Sequence, residues 1–200
     1  MSAIPQPRYS FEEYLARERV AEERSEFYRG QIFAMAGGSP RHNTICLSIA
    51  SALKSRLRGG PCRPFASDQR LRIPTNGLST YPDISVVCGE LKFNEIDHDA
   101  IVNPKVLVEV LSPSTESYNR GKKFDLYREL PSLQEYILVS QDEALVERFV
   151  RQDDGDWLLT VFKGMNSVLE LGTIACHLSF AEIYEDISFG PDETQLNITN

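Results

Sequence analysis

The chain has 200 residues, which suffices for one well-cored domain and calls for no second one. Hydrophobic residues make up 42% and charged residues 25% of it, and no apolar run approaches the roughly 18 residues of a membrane span. The formal net charge of -8 excludes a non-specific attraction to polyanions over the whole surface, although local basic clusters remain. We expect a single domain over residues 1–187, a polar and flexible tail over residues 188–200, and a cytoplasmic location, because the N-terminus has no secretory signal.

The first part of the chain predicts two helices and a hairpin. The sequence "SFEE" at residues 10–13 is a capping box, so a first helix runs from there to the high teens. The segment "SEFYRGQIFAMAGG" predicts two short strands that meet at residues 29–30. A second helix has Ser39 as its N-cap, in "SPRH", and ends near Gly59.

Strand patterns dominate the rest of the chain, and turn-forming stretches such as "PTNG" separate them. The first four strands are expected at residues 62–66, 69–73, 83–88 and 105–111. The segment "GKKFDLYREL" predicts a helix that stops before a proline, and "LQEYILVS" predicts another strand. "ALVERFV", "WLLTVF" and "SVLELG" predict an antiparallel meander, and a last short helix follows at "SFAEIYED", which carries its own capping box.

The four cysteines are scattered and form no CxxC pair, which argues against a zinc site and against a disulfide framework. They are Cys46, Cys62, Cys88 and Cys176. Because free cysteine usually behaves as a small buried hydrophobe, we expect reduced, structural thiols.

A glutamate interrupts an otherwise aliphatic strand in "PKVLVEVLSPST", residues 104–115. Within a strand, Glu109 shares one face with Leu107 and Leu111 while valines line the other, so both faces are apolar. Such a strand is typical of the centre of a layered sheet, where an unpaired charge is costly. Glu109 therefore needs a partner, and both a buried salt bridge to a basic residue and a bound metal ion would provide one.

The best partner lies upstream in "TYPDISVV", where Asp83 opens a β-rich run directly after a proline. If the two strands are neighbours, Asp83 and Glu109 lie at one end of a sheet. With backbone carbonyls and water, two carboxylates make a hard oxygen site that suits Mg²⁺ or Mn²⁺. A turn or strand-capping aspartate is the structural alternative for Asp83, but the combination with Glu109 and a following basic helix favours the metal site.

Four separated segments carry a family resemblance. They are, in chain order, "EFYRGQIFAMAGGSPRH", "YPDISVV", "VLVEVLSPST" and "GKKFDLYRELPSLQEYILV". Together they resemble the Uma-type family of restriction endonuclease-like proteins in the PD-(D/E)XK nuclease superfamily, over residues 9–184. The resemblance implies an α/β fold of mixed α+β type, with a restriction endonuclease-like core, a mixed central β-sheet flanked by helices, and extra antiparallel strands in the C-terminal part. It also implies a metal-dependent endonuclease that hydrolyses phosphodiester bonds in nucleic acid, with DNA as the expected substrate.

The resemblance assigns roles to individual residues. The first acid of the superfamily signature falls on Asp83 and the second on Glu109, but the lysine two positions later would fall on Leu111, which cannot supply a charge. By alignment of "GKKF", Lys123 takes that role instead. The implied catalytic residues are Asp83, Glu109 and Lys123. The implied metal ligands are Asp83, Glu109 and Glu26, although a surface position in a hairpin strand is the alternative for Glu26.

Basic residues near these segments are candidate contacts for backbone phosphates. They are Arg120, Lys122, Arg70 and Arg72. For each cluster a solvated face is the alternative. Lys122 and Asn119 stand where the family commonly has acids, so this helix is more basic than usual. His42 is a candidate accessory group, but a packed or hydrogen-bonded histidine is the favoured interpretation because it lies on the apolar side of its helix.

The expected cofactor is Mg²⁺ or Mn²⁺, and the expected partner is nucleic acid rather than a membrane. A homodimer would suit the cutting of two strands. A catalytically inactive nucleic-acid-binding or regulatory module on the same scaffold is the main alternative, because the signature lysine is displaced and the net charge is negative. A glycosidase that uses Asp83 and Glu109 as its acid pair is disfavoured, since the single tryptophan, Trp157, offers too few sugar platforms.

Overall fold

The computed structural model describes residues 7–35 and 37–190. Its helices are α1 (Phe11–Glu18), α2 (Pro40–Arg56), α3 (Glu116–Tyr118), α4 (Phe124–Tyr127) and α5 (Phe180–Ile183), with a π-helical segment (Asn119–Lys123) between α3 and α4 and a 3₁₀ turn (Gly172–Ile174). Its strands are β1 (Ser25–Tyr28), β2 (Gln31–Ala34), β3 (Cys62–Ala66), β4 (Leu71–Ile73), β5 (Leu78–Thr80), β6 (Ile84–Cys88), β7 (Val106–Leu111), β8 (Glu135–Ser140), β9 (Leu145–Arg151), β10 (Trp157–Lys163), β11 (Val168–Leu171) and β12 (Cys176–Ser179).

A six-stranded mixed sheet of order β10-β9-β8-β7-β6-β3 forms the centre of the fold. Strands β7 and β8 run parallel, and the other neighbouring pairs of this sheet are antiparallel. Every residue of β7 is buried, as both of its faces are covered. The predicted α+β architecture with a mixed central sheet and added antiparallel strands is confirmed, and β7 is its central element.

Helix α2 covers one face of this sheet. Ser39 caps it by accepting a hydrogen bond from the backbone N–H of His42, and a proline occupies its first turn, as predicted. Ile45, Ile49 and Leu53 repeat every four residues on the helix and pack against the valines of β7. The start of α2 is therefore held close to the end of the sheet at which Asp83 lies.

The opposite face of the sheet is covered by aromatic and aliphatic side chains from the helical segment that follows β7. Phe124 stacks on Tyr136 with ring centroids 5.2 Å apart, and Tyr127 meets the edge of Tyr136 at 5.4 Å. Leu107 and Leu111 of β7 belong to the same apolar cluster. Glu109 lies between these two leucines in sequence, so its carboxylate enters this layer.

A second sheet of order β2-β1-β5-β4 lies in the N-terminal half. The predicted hairpin is present, and its turn has Arg29 at φ 48° and Gly30 at φ 81°, the left-handed pair that a tight hairpin requires. Strand β5 was not predicted, since its three buried residues follow a turn and are too few to show a period. It pairs with β1 through Phe27 and Ser79.

The C-terminal strands differ from the predicted meander. Strands β8, β9 and β10 do form one, but β11 leaves the main sheet and pairs antiparallel with β12, which was not predicted. Leu169, Leu171 and Leu178 of this ribbon are buried in the cluster on the α2 face. Strand β11 therefore helps to cover the α2 face of the main sheet and does not extend that sheet as an additional strand.

The expectation of four reduced thiols is wrong for two of them. Cys62 and Cys88 form a disulfide, while Cys46 and Cys176 are free. The antiparallel pairing of β3 with β6 places Cys62 directly opposite Cys88, with their Cα atoms 3.9 Å apart. The local sequence around each cysteine holds no sign of this register, because the two strands are joined through the second sheet.

Within the described residues, no helix is both long enough and apolar enough to cross a bilayer. The predicted tail over residues 188–200 falls mostly on residues 191–200, which lie outside the described residues.

The disulfide gives a first testable prediction. Replacing Cys62 and Cys88 together by serine should lower the free energy of unfolding by about 2–4 kcal/mol, because the bridge closes a loop between residues 26 apart in the unfolded chain. Urea unfolding without reductant measures the loss. A reductant should destabilise the wild type by a similar amount and leave the double variant unchanged, whereas a wild type that is indifferent to reductant would contradict the bridge.

Candidate active site

Asp83 and Glu109 meet at one end of the β6 and β7 pair. The antiparallel register aligns Ile84 of β6 with Val108 of β7. Asp83, which precedes Ile84, therefore lies beside Glu109, which follows Val108. The backbone N–H of Val110 donates a hydrogen bond of 2.7 Å to Oδ2 of Asp83, which ties this carboxylate to β7. The prediction that the two strands are neighbours is confirmed.

Glu109 is 3% exposed and has two partners from the helical segment that follows β7. The Tyr127 hydroxyl donates to its Oε1 at 2.7 Å, and the Lys123 Nζ lies 3.0 Å from the same oxygen. Leu111, which stands at the signature's usual lysine position, is buried in the apolar cluster instead. Lys123 therefore places beside Glu109 the positive charge that Leu111 cannot supply.

Lys123 is 4% exposed and pairs with two acids at once. Its Nζ lies 3.0 Å from Oε1 of Glu109 and 3.3 Å from Oε1 of Glu26. The lysine ends the π-helical segment, whose wider turn differs from the α-helix that the sequence predicts. Single π-turns are frequent at functional sites. Together with Asp83, three carboxyl groups therefore lie around this one ammonium.

Glu26 is the second acidic partner of Lys123, beside Glu109. Its Oε1 accepts a hydrogen bond of 2.5 Å from the Thr80 hydroxyl, and its Oε2 accepts one of 2.9 Å from the Tyr118 hydroxyl. A surface position is excluded, because Glu26 is buried. Both oxygens of this carboxylate are thus committed to neighbouring side chains.

His42 links α2 to the same end of the sheet. Its Nε2 lies 3.2 Å from Oδ2 of Asp83, and its Nδ1 lies 3.6 Å from Sγ of Cys46. The hydrogen bond to Asp83 raises the pKa of His42, while burial opposes that rise. Burial raises the pKa of the Cys46 thiol, and the negative charges of Asp83 and Glu109 add to the rise. His42 is thus hydrogen-bonded as expected, and its role as an accessory group stays a prediction.

The protonation of the site follows from burial and from Lys123. Burial raises the pKa of Glu109 to about 7, Lys123 works against this rise and Asp83 adds to it. Burial also opposes ionisation of Glu26, yet Lys123 and the hydrogen bonds from Thr80 and Tyr118 hold its pKa below the usual value. Burial opposes the charge on Lys123 as well, but the two glutamates raise its pKa above the usual value. Near neutral pH Lys123 is an ammonium, Glu26 is ionised, and Glu109 is poised between its two forms.

The donor set at Asp83 and Glu109 fits a hard divalent cation. Among the described residues, the hydrogen bonds and ion pairs of these carboxylates use Oδ2 of Asp83 and Oε1 of Glu109. The other oxygen of each is left for a further ligand. Carboxylate oxygens of this kind are the ligands that Mg²⁺ and Mn²⁺ prefer.

Two of the predicted phosphate contacts, Arg70 and Arg72, have partners within the protein. The Arg70 guanidinium is buried, donates to the Tyr81 hydroxyl at 2.8 Å and forms a 2.6 Å ion pair with Asp97. Arg72 donates to the carbonyl of Gly77 and stacks over the Phe11 ring at 3.7 Å. Both guanidinium groups thus bind partners in the N-terminal half of the fold, namely acidic, hydroxyl or carbonyl groups and aromatic rings.

The other two basic candidates lie on the segment that carries Lys123. Arg120 forms ion pairs with Glu116 and Glu147. Lys122 is exposed and its Nζ lies 5.2 Å from the centroid of the Tyr28 ring. Of the two, Lys122 has the charge that is more open to an approaching anion.

Three polar side chains of the site were not predicted from the sequence: Thr80, Tyr118 and Tyr127. Tyr127 lies four residues after Lys123, so the two share a face of a helix. That spacing was a usable signal for Tyr127. Thr80 had no such signal, because it lies on the short strand β5 that the pattern does not reveal.

The shared ammonium gives the second testable prediction. Lys123→Met leaves two buried glutamates without their cation, so we expect a loss of about 3–5 kcal/mol in the free energy of unfolding near pH 8. In this variant both acids have a pKa above the unfolded value, so the loss grows as the pH rises and shrinks toward about pH 5, where they are protonated. Urea unfolding at both pH values measures the loss. The exposed neighbour supplies the control: Lys122→Met should change stability by less than about 0.5 kcal/mol. Equal losses in the two variants, or a pH-independent loss for Lys123→Met, would contradict the shared ion pair.

Comparisons with known proteins show the family and the fold of the chain. A family model described as "Uma2: Putative restriction endonuclease" matches residues 11–181. Two uncharacterized proteins of Synechocystis sp., slr1290 and sll1609, are each 38% identical to the chain, over 94% and 79% of it and 97% and 89% of their own lengths. A crystal structure of "a putative nuclease belonging to DUF820" from Anabaena variabilis has a TM-score of 0.72 at 22% identity and covers 88% of this chain and 98% of that one. The chain therefore has a nuclease-like fold, and it belongs to the Uma2 family.

Proposed function

We propose that this chain is an endonuclease that uses Mg²⁺ or Mn²⁺ to hydrolyse phosphodiester bonds in DNA. The observation that carries the proposal is the meeting of Asp83, Glu109 and Lys123 at one end of the central sheet, with more carboxylates than cations. The Uma2 family model is described as "Putative restriction endonuclease" and the Anabaena variabilis protein as "a putative nuclease", which supports the same reaction class.

In this proposal Asp83 and Glu109 bind the metal ion through the oxygens that their present hydrogen bonds leave free. A bound Mg²⁺ or Mn²⁺ would lower the pKa of a water molecule and offset charge on the phosphate. The N–H of Val110 and the imidazole of His42 keep Asp83 in place. Burial of Glu109 favours its neutral form, and Lys123 with a bound cation would hold it ionised.

Lys123 stabilises negative charge on the phosphate and orients the attacking water. Its ammonium has three donors, and Glu109 and Glu26 lie within reach of two of them. The third remains for a phosphate oxygen or for water. Glu26 acts here as a positioning residue for Lys123, because Thr80 and Tyr118 already occupy its oxygens.

Substrate affinity would come from the exposed basic surface beside this segment. Lys122 is our candidate for a backbone phosphate contact, and Arg120 would have to leave its acidic partners to join it. Phosphate contacts of this kind give affinity without sequence choice. The homodimer, the cytoplasmic location and DNA rather than RNA as substrate stay predictions.

An inactive nucleic-acid-binding module is the second candidate, because Leu111 replaces the signature lysine. The 3.0 Å contact between Lys123 and Glu109 weighs against it, since a charge of the right sign is supplied from the neighbouring helical segment.

A cleavage assay separates the two candidates and is the third testable prediction. Purified wild type is incubated with supercoiled plasmid, single-stranded DNA and RNA, with Mg²⁺ or Mn²⁺. We expect cleavage of DNA, and a loss of about a hundredfold or more in Asp83→Asn and Glu109→Gln, since each removes one charged group from the reaction.

Glu135→Gln is the matched control. Glu135 is equally buried on the adjacent strand β8, but alternation places it on the opposite face, and it accepts a hydrogen bond from the backbone of Thr173. This variant should cut at the wild-type rate. Undiminished cleavage by both Asp83→Asn and Glu109→Gln would contradict the proposed site, and a wild type that cuts no nucleic acid with either metal would favour the binding module.

A further inference from the structure

A thiol, an imidazole and a carboxylate converge beside the proposed active site. One ligand atom from each of His42, Cys46 and Asp83 lies within 4.8 Å of the other two. His42 and Cys46 are four residues apart on α2, so both side chains project from one face of the helix. Asp83 completes the group from the start of β6. Helix α2 therefore positions His42 and Cys46, and the start of β6 with the Val110 N–H of β7 positions Asp83.

One ligand atom from each of the three side chains lies within 4.8 Å of the others, so a bound ion would draw them together to the spacing of tetrahedral ligands. Zinc binds sulfur at about 2.3 Å and nitrogen or oxygen at about 2.0–2.1 Å, which separates neighbouring ligand atoms by roughly 3.3–3.6 Å. His42 Nε2 lies 3.2 Å from Oδ2 of Asp83 and His42 Nδ1 lies 3.6 Å from Sγ of Cys46, so the imidazole lies between the other two side chains, one of which would turn toward the nitrogen that binds the ion. One ring nitrogen would bind the ion. Three protein ligands with a water molecule as the fourth is a common zinc arrangement.

The chemistry of this group differs from that of the Asp83 and Glu109 pair. A thiolate and an imidazole select Zn²⁺ and similar transition metals, while Mg²⁺ prefers oxygen ligands alone. The His42 and Asp83 side chains are each 15% exposed, so an ion can reach them while much of the surrounding water is excluded. A metal ion that binds here displaces the proton of the Cys46 thiol.

We propose that His42, Cys46 and Asp83 form a site for a thiophilic divalent metal ion such as Zn²⁺, and that its occupation inhibits the enzyme. The inhibitory part rests on the proposed function. Asp83 belongs to both sites, so an ion held by Cys46 and His42 would occupy a carboxylate that the Mg²⁺ site needs. Zn²⁺ would then compete with Mg²⁺ for one shared ligand, although the remaining ligands of the two ions differ.

Co²⁺ is the probe that tests the binding site, because thiolate ligation gives it a charge-transfer absorption band that oxygen ligands do not. The full-length wild type, without reductant, should develop this band with one equivalent of Co²⁺, and Zn²⁺ should abolish it. The band should be lost in Cys46→Ser and strongly weakened in His42→Gln. Its absence in the wild type, or its persistence in Cys46→Ser, would overturn the site.

Two variants serve as controls for the assignment. Cys176 is the other free cysteine, and its sulfur has only the backbone carbonyl of His177 as a hydrogen-bond partner among the described residues, so Cys176→Ser should keep the band. Glu109→Gln should also keep it, because Glu109 belongs only to the oxygen site. If Cys176→Ser lost the band while Cys46→Ser kept it, the ion would be bound at Cys176, and the proposal would be overturned.

Competition is measured by the inhibition of plasmid cleavage by Zn²⁺ at fixed Mg²⁺. Cys46→Ser should cut at the wild-type rate without Zn²⁺ and should need at least about tenfold more Zn²⁺ for half inhibition, which corresponds to about 1.4 kcal/mol of binding free energy. Equal inhibition of the two proteins would overturn the competition. If the wild type cuts nothing, the Co²⁺ band still decides the site, so failure of the proposed function and failure of the metal site are distinguishable.

Discussion

The buried ammonium of Lys123 is the interaction on which the candidate site depends. It lies between Glu109 of the central strand β7 and Glu26 of the hairpin strand β1, so one charge joins the main sheet to the N-terminal sheet. Without it, two carboxylates would face each other away from water, which is strongly unfavourable. With it, one oxygen of Asp83 and one of Glu109 still remain for a divalent cation. The structural ion pair and the proposed functional site are the same group of atoms.

The fold brings this group together from distant parts of the chain. The β6 and β7 register sets Asp83 beside Glu109, the π-helical segment delivers Lys123, and the start of α2 adds His42. Each of these elements is anchored in an apolar layer on one side of the main sheet or the other. The polar site occupies the end of the sheet where these two layers meet, so its geometry is set by core packing rather than by flexible loops.

The sequence predicted the parts of this arrangement that local pattern can encode. The caps of α1 and α2 are present as expected, and two apolar faces around Glu109 correctly indicated a central strand. Contacts between residues distant in sequence could not be predicted from local pattern. The Cys62–Cys88 bridge depends on strand register, and the buried Arg70 depends on Asp97 from a loop, so neither was foreseeable from its own neighbourhood. Lys123 was found only through the family resemblance, because nothing in its local pattern points to Glu109.

The location of the ion is the central claim, and anomalous diffraction from crystals grown with Mn²⁺ tests it most directly. We predict a peak at roughly 2.1 Å from carboxylate oxygens of both Asp83 and Glu109, with the Lys123 ammonium still beside Glu109. Crystals of Glu109→Gln should lack this peak. A peak that contacts neither carboxylate, or no peak at a Mn²⁺ concentration that supports cleavage, would contradict the proposed metal site.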